Sequence, residues 1–197
     1  MSPRGVAIPD VRDRLFDAAE RVLAGAGPSA LTSRAITTEA GCAKGLLHAH
    51  FSGLDEFIGA LVLDRFARIA RQAGRLPAQA GAGTVAENLR KVALALLTSV
   101  NPTVAGLALT RPAASLTIRQ ALEAGAPGFT AIQDSIAEYL DAERQLGRLA
   151  DGTDGHAIAL ALVGSVHHLL MTGWAGAPDP REQVRGLIAQ LVGGAVT

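Results

Sequence analysis

The feature that most limits the fold of this 197-residue chain is its apolar rhythm. Hydrophobic residues recur at spacings of three and four, in segments cut by Gly and Pro, and nowhere alternate with period two over a useful length. That pattern builds helices and argues against strands. Composition points the same way: 49% of the residues are hydrophobic but only 4% are aromatic, so the core must be made of Ala, Leu, Val and Ile. An all-α fold of about nine helices is predicted.

The helices can be placed in order. The first starts near Asp10, with Val11, Leu15, Ala18, Val22 and Leu23 on one face, and stops at Gly25-Ala26-Gly27-Pro28. The second starts after Thr32, the expected N-cap, and ends at Gly41; a short third runs from about Lys44 to His50. Ser52 opens a long fourth helix, about Leu54 to Gly74, with Asp55 placed as the partner in a capping box. After a loop from Pro77 to Gly83, Thr84–Val100 forms a helix with Val85, Leu89, Val92, Leu96 and Val100 on one side. Asn101-Pro102 breaks it, and Pro112 breaks or kinks the stretch from Thr103 to Ala124. Pro127 opens a helix carrying Phe129, Ile132, Ile136, Tyr139, Leu140 and Leu146 on one side, which stops near Gly147. Asp151 to Thr172 is apolar on most of its circumference, more than one core face requires. Asp179-Pro180-Arg181-Glu182 is a complete start signal for a last helix reaching about Val192.

Several classes of function fall away. A single cysteine, Cys42, excludes an internal disulfide framework and a cysteine zinc site, and reads as a small buried hydrophobe. Met1 to Asp10 lacks the apolar core of a signal peptide, and Ala157–Met171 is too short to span a bilayer, so a cytoplasmic protein without a membrane partner is expected. No nucleophile–base pair, metal spacing or phosphate loop marks an enzyme, and no cofactor is expected. His167 and His168 are adjacent, so their rings point about 100° apart and do not chelate one metal easily. Net charge is zero: residues 1–57 carry six basic and seven acidic side chains, and DNA binding would have to rest on a few placed contacts. Arg65, Arg68, Arg71 and Arg75 make a basic stripe on the fourth helix, read as a solvated face.

The informative arrangement is helix, turn, short helix. Ile36 and Ala40 face inward, Gly41 permits the turn, and Leu47 and Phe51, four apart, anchor the third helix. That leaves Lys44, Gly45, Leu46, His48 and His50 outside. A helical hairpin that merely packs has the same periodicity. Arg14 to Phe57 adds more: Ala18-Ala19, Gly27, Thr32, Ala40-Gly41, Gly45, Leu47, His50 and Phe51 stand at fixed spacings. In these the segment resembles the N-terminal domain of the TetR family of repressors. His48 replaces the family's usual Tyr, Leu54 a common Lys, and Ala43 a Ser that often caps the recognition helix.

The resemblance implies a helix-turn-helix DNA-binding domain over residues 1–53 and a helical ligand-binding and dimerisation domain over 54–197. DNA contacts would come from Thr32, Ser33 and Arg34 at the second helix, and from Lys44, Gly45, Leu46, His48 and His50 around the third. Partners would be a double-stranded, palindromic operator, a second copy of the chain through the C-terminal helices, and a small, largely apolar effector that releases DNA. Effector contacts are expected from Thr98, Asn101, Leu107, Arg111, Arg119, Phe129, Tyr139, His167, Met171 and Trp174. The rival expectation is a helical binding module of the same fold that has lost its operator.

Overall fold

The computed structural model describes residues 11–99, 102–172 and 177–193. Ten α-helices and two single 3₁₀ turns, with no strand, make up the regular structure of the described residues. The helices are α1 Val11–Ala26, α2 Ser33–Glu39, α3 Leu46–His50, α4 Leu54–Ala73, α5 Val85–Leu97, α6 Pro102–Thr110, α7 Pro112–Glu123, α8 Phe129–Gln145, α9 Gly155–Met171 and α10 Pro180–Gly193. Pro112 cuts the expected Thr103–Ala124 stretch into α6 and α7, since proline lacks the amide a continuing helix needs. No single described helix is long and apolar enough to cross a membrane.

The helices form two compact units. One holds the described residues up to Val62 together with Thr103–Gln120; the other holds the described residues of Leu63–Pro102 and Ala121–Thr197. Helices α4 and α7 each begin in the first unit and end in the second.

In the first unit, α1 buries Leu15, Phe16, Ala18, Ala19 and Leu23, and Gly27 ends the segment with a backbone φ of 76°. Phe16, Phe51 and Phe57 stack in a triangle with ring centroids 5.1–5.9 Å apart. Burying rings of this size contributes about 1.5–3 kcal/mol each. The Arg14 guanidinium donates to the Ala40 carbonyl at 2.9 Å, and Arg21 pairs with Glu39 at 2.6 Å, tying α1 to α2. The front of α4 closes on α7 at Gly59, where a Cβ would stand 3.2 Å from that of Thr117. Arg111, between α6 and α7, pairs with Asp55 at 2.6 Å.

The second unit is an aliphatic core of α5, α8, α9 and α10, joined by the end of α4. Leu89, Val92 and Leu96 meet Ile132, Ile136 and Leu140, then Leu162, Val163 and Val166, then Val184, Ile188 and Val192. One polar cluster is buried there. Tyr139 and Glu143 are both 0% exposed. Asn88 donates to the Tyr139 hydroxyl (3.1 Å) and to the Ala82 carbonyl (2.8 Å). The Gly81 amide donates to Glu143 (3.3 Å), Arg148 lies 3.3 Å from the same carboxylate, and Arg148 also donates to the Gly83 carbonyl. Burial, then the hydrogen bond to Glu143, push the Tyr139 hydroxyl's pKa up. The cluster fastens the 77–83 loop onto α8.

Several boundaries differ from expectation for local reasons. Helix α9 starts at Gly155, not Asp151, because Asp154 accepts from the Ala157 amide at 3.0 Å and caps it. Helix α3 starts at Leu46, so Ala43 lies in the turn and Gly45 flanks a start with no side-chain cap. Ser52 is met by Glu56, at 2.7 Å from its amide and 2.5 Å from its hydroxyl, while Asp55 turns to Arg111. Leu146 sits past the end of α8 and is 57% exposed. The basic stripe is not one solvated face: Arg65 is buried and bonds Asp64, which also takes Arg68. Asp10, Val100, Asn101 and Trp174 lie outside the described residues.

Candidate nucleic-acid interface

The helix-turn-helix is assembled by local chemistry. Thr32 caps α2, its hydroxyl accepting from the Ala35 amide at 3.1 Å. At the other end the Cys42 amide reaches the Thr37 carbonyl (2.9 Å) and the Gly41 amide the Thr38 carbonyl (3.1 Å). This pair of bonds is the Schellman stop, and it needs Gly41 at its φ of 63°. The Cys42 thiol, half-buried, donates to the Ala40 carbonyl.

Helix α3 is held from behind by Leu47 and Phe51, 0% and 3% exposed, against a platform that includes the fully buried Ile36. Arg12 lies over the Phe51 ring, 4.7 Å from its centroid. This leaves Lys44, Gly45, His48, Ala49 and His50 exposed, with Leu46 half-buried. On α2, Thr32 and Arg34 are exposed and Ser33 is half-buried.

The charges of this unit are sorted. Glu39 is taken by Arg21, Asp55 by Arg111 and Glu56 by Ser52. The two bonds from Ser52, hydroxyl first and amide second, hold the Glu56 carboxyl below its ordinary range. Asp13, Asp17 and Glu20 are engaged as well. By contrast the side chains of Arg34, Lys44, His48 and His50 make no hydrogen bond, ion pair or ring contact with any described residue. A chain segment with more acids than bases therefore presents two uncompensated cations, Arg34 and Lys44, on its outer face.

The described members of the expected effector set divide between the two units. Leu107, Arg111 and Arg119 belong to the first unit; Thr98, Phe129, Tyr139, His167 and Met171 belong to the second. Arg111 is committed to Asp55 and Tyr139 to the buried polar cluster. Thr98 and Arg119 are exposed, and Met171 is 37% exposed. Phe129 and His167 meet, with ring centroids 4.8 Å apart, and Phe66 joins them at 4.8 Å from Phe129. Phe66 was not foreseen, and neither were Arg12 and Arg14. Each acts through a contact distant in sequence, for which no local spacing is a signal.

Residues 15–61 match the family model of the bacterial regulatory proteins, tetR family. No curated protein matches the chain in sequence. Among solved structures, the chain is similar to the TetR transcriptional regulator SCO0520 of Streptomyces coelicolor (TM-score 0.58, 22% identity, 94% of this chain and 98% of that one). It is similar to the transcriptional regulator FadR of Bacillus subtilis, solved with stearoyl-CoA (0.64, 18%, 92% and 98%). It is also similar to SmeT, the repressor of the Stenotrophomonas maltophilia multidrug efflux pump SmeDEF (0.60, 19%, 94% and 90%). The helix-turn-helix of this chain is thus a domain of the tetR family of bacterial regulatory proteins, carried on the fold of a TetR-family transcriptional regulator.

Proposed function

We propose that the chain is a ligand-responsive transcriptional repressor that binds a palindromic operator as a homodimer. The observation that carries this is the outer face of the helix-turn-helix, where Arg34, Lys44, His48 and His50 stand exposed without partners among the described residues, on a buried platform. Thr32, Ser33 and Arg34 are phosphate contacts; Lys44, Gly45 and Leu46 begin the recognition element; His48 and His50 flank it. Residues 1–53 bind DNA, and residues 54–197 dimerise and hold the effector.

A reader of this geometry needs two half-sites about one helical turn apart, hence a second copy. The outer face of α9 supports that pairing: Ala157, Leu160, Gly164 and Met171 are exposed on a largely apolar helix, Leu160 by 62%. The likeness to FadR, solved with stearoyl-CoA, supports an effector with a substantial apolar part. Its binding would favour the conformer with the wrong half-site spacing and so release DNA.

Gel shifts with the DNA upstream of the protein's own gene test the reading. Saturable binding that weakens steeply with salt is expected. Loss of the operator is the second reading, favoured by the uncapped start of α3 and by Leu54 where a cation is common. A flat salt response on every duplex would establish that reading and overturn the first.

A further inference from the structure

We infer that Arg12 and Arg14 of α1 are positioning residues for sequence readout: without touching DNA, they fix the pose of α3 from the turn before it and from the residue after it. This rests on the DNA-binding reading above. Helix α3 has five residues and no side-chain cap at its start. A helix that short does not hold itself together in water, so its direction is set by its attachments. Leu47 and Phe51 fasten its inner side. Apolar burial is non-directional, however, and leaves a short helix free to rock.

The two arginines supply the direction. On α1 they stand two residues apart, about 200° around the helix axis, and so leave it on opposite sides. Arg14 runs to the turn before α3, where its guanidinium donates to the Ala40 carbonyl at 2.9 Å. Ala40 is the C-cap of α2 and precedes Gly41, whose left-handed backbone redirects the chain. A cation at a helix C-terminus meets the negative end of its dipole as well as a carbonyl. Arg12 runs to the residue after α3, its guanidinium 4.7 Å from the centroid of the Phe51 ring. Phe51 is the C-cap of α3. The charge of Arg12 also reaches Glu56, whose carboxyl is held low first by the Ser52 hydroxyl and amide and then by Arg12. One helix thus grips the chain at Ala40 and at Phe51, and α3 hangs between the two grips.

Base readout is what such a grip protects. A side chain discriminates between base edges only when held within about 0.5 Å and 10–20° of the productive geometry. A phosphate contact tolerates more, because charge attraction falls slowly with distance. Loosening α3 therefore costs discrimination between sequences, while the phosphate contacts proposed for Thr32, Ser33 and Arg34 stay in place on α2.

The test is fluorescence anisotropy of the full chain with a duplex of about 30 base pairs, selected from a random library by the protein itself, and with single-base-pair variants of that duplex. Wild-type discrimination of about tenfold per changed pair is expected to shrink to about threefold or less in Arg12→Met/Arg14→Met, with the slope of log affinity against log salt unchanged. Arg12→Lys/Arg14→Lys should recover part of the discrimination, since an ammonium still donates to Ala40 and lies over Phe51. Far-ultraviolet circular dichroism at the assay temperature confirms folding; if the double Met variant does not fold, Arg12→Met and Arg14→Met are read singly in the same way. A salt slope shallower by about 0.9 for each arginine removed would make them phosphate contacts and overturn the inference. Discrimination that stays at the wild-type value in the folded variant would overturn it too, and leave the DNA-binding reading standing. A wild-type chain that selects no duplex with salt-sensitive binding overturns both.

Discussion

The two units solve the problem of a core in opposite ways. The first is sealed by rings: Phe16, Phe51 and Phe57 are three of the five phenylalanines in the chain, and they meet in one triangle. Its described charged groups stay out of the core, in pairs such as Arg21–Glu39 and Asp55–Arg111. The second is built from branched aliphatics and admits a buried polar cluster of Tyr139, Asn88, Glu143 and Arg148. A small unit with few core positions needs large side chains, because each position has to bury more area. A larger core can carry a satisfied polar group and use it to pin a loop.

Breaking each device separates the two. The largest loss is expected from Phe51→Ala, about 3–5 kcal/mol by denaturant unfolding, since it removes the ring shared by the triangle and by Arg12 and leaves a cavity behind Leu47. Glu143→Ala should follow at about 2–3 kcal/mol, by leaving Arg148 and the Gly81 amide without their acceptor. Its distinguishing sign is protease sensitivity in the 77–83 loop, which Phe51→Ala should not produce.

Smaller effects sharpen the contrast. Tyr139→Phe should cost about 1 kcal/mol at neutral pH. The raised pKa of Tyr139 adds a pH signature. Unfolded tyrosine ionises near 10 while the buried hydroxyl stays neutral, so wild-type stability should fall as pH rises above about 10. Thermal melts at alkaline pH should show that decline in the wild type and lose it in Tyr139→Phe. Arg111→Ala, which opens a partly exposed ion pair, should cost under about 1 kcal/mol. A larger loss would mean that the first unit depends on its surface pairs after all.

What the sequence discloses follows the range of the interaction. The Thr32, Thr84 and Asp179 starts and the Gly41 stop are readable because cap and partner lie within a few residues. The platform of Ile36, Leu47 and Phe51 is readable from period and from resemblance together. Where two equivalent residues compete, the choice is not readable: Asp154 caps α9 although Asp151 is also available, and Glu56 bonds Ser52 although Asp55 is closer in sequence. Arg65 looks like the other arginines of its stripe, and only tertiary packing buries it. The effector residues are the least readable, because a pocket is a juxtaposition of distant segments. Phe129 and His167 share a ring contact that no spacing announces, and Phe66, the third ring of that group, carries no local signal at all.

Tyr139 is the only tyrosine in the chain, and the fold has placed it where its hydroxyl cannot reach solvent. That makes it an optical probe already installed at a known address. Phenolate absorbs at longer ultraviolet wavelengths than phenol, so after a jump to alkaline pH the rate at which that absorbance grows measures how often the polar cluster opens. The first unit contributes nothing to the signal, since its rings are phenylalanines. Without a label, then, the breathing of the aliphatic unit can be timed alone, in the free protein and with any effector added.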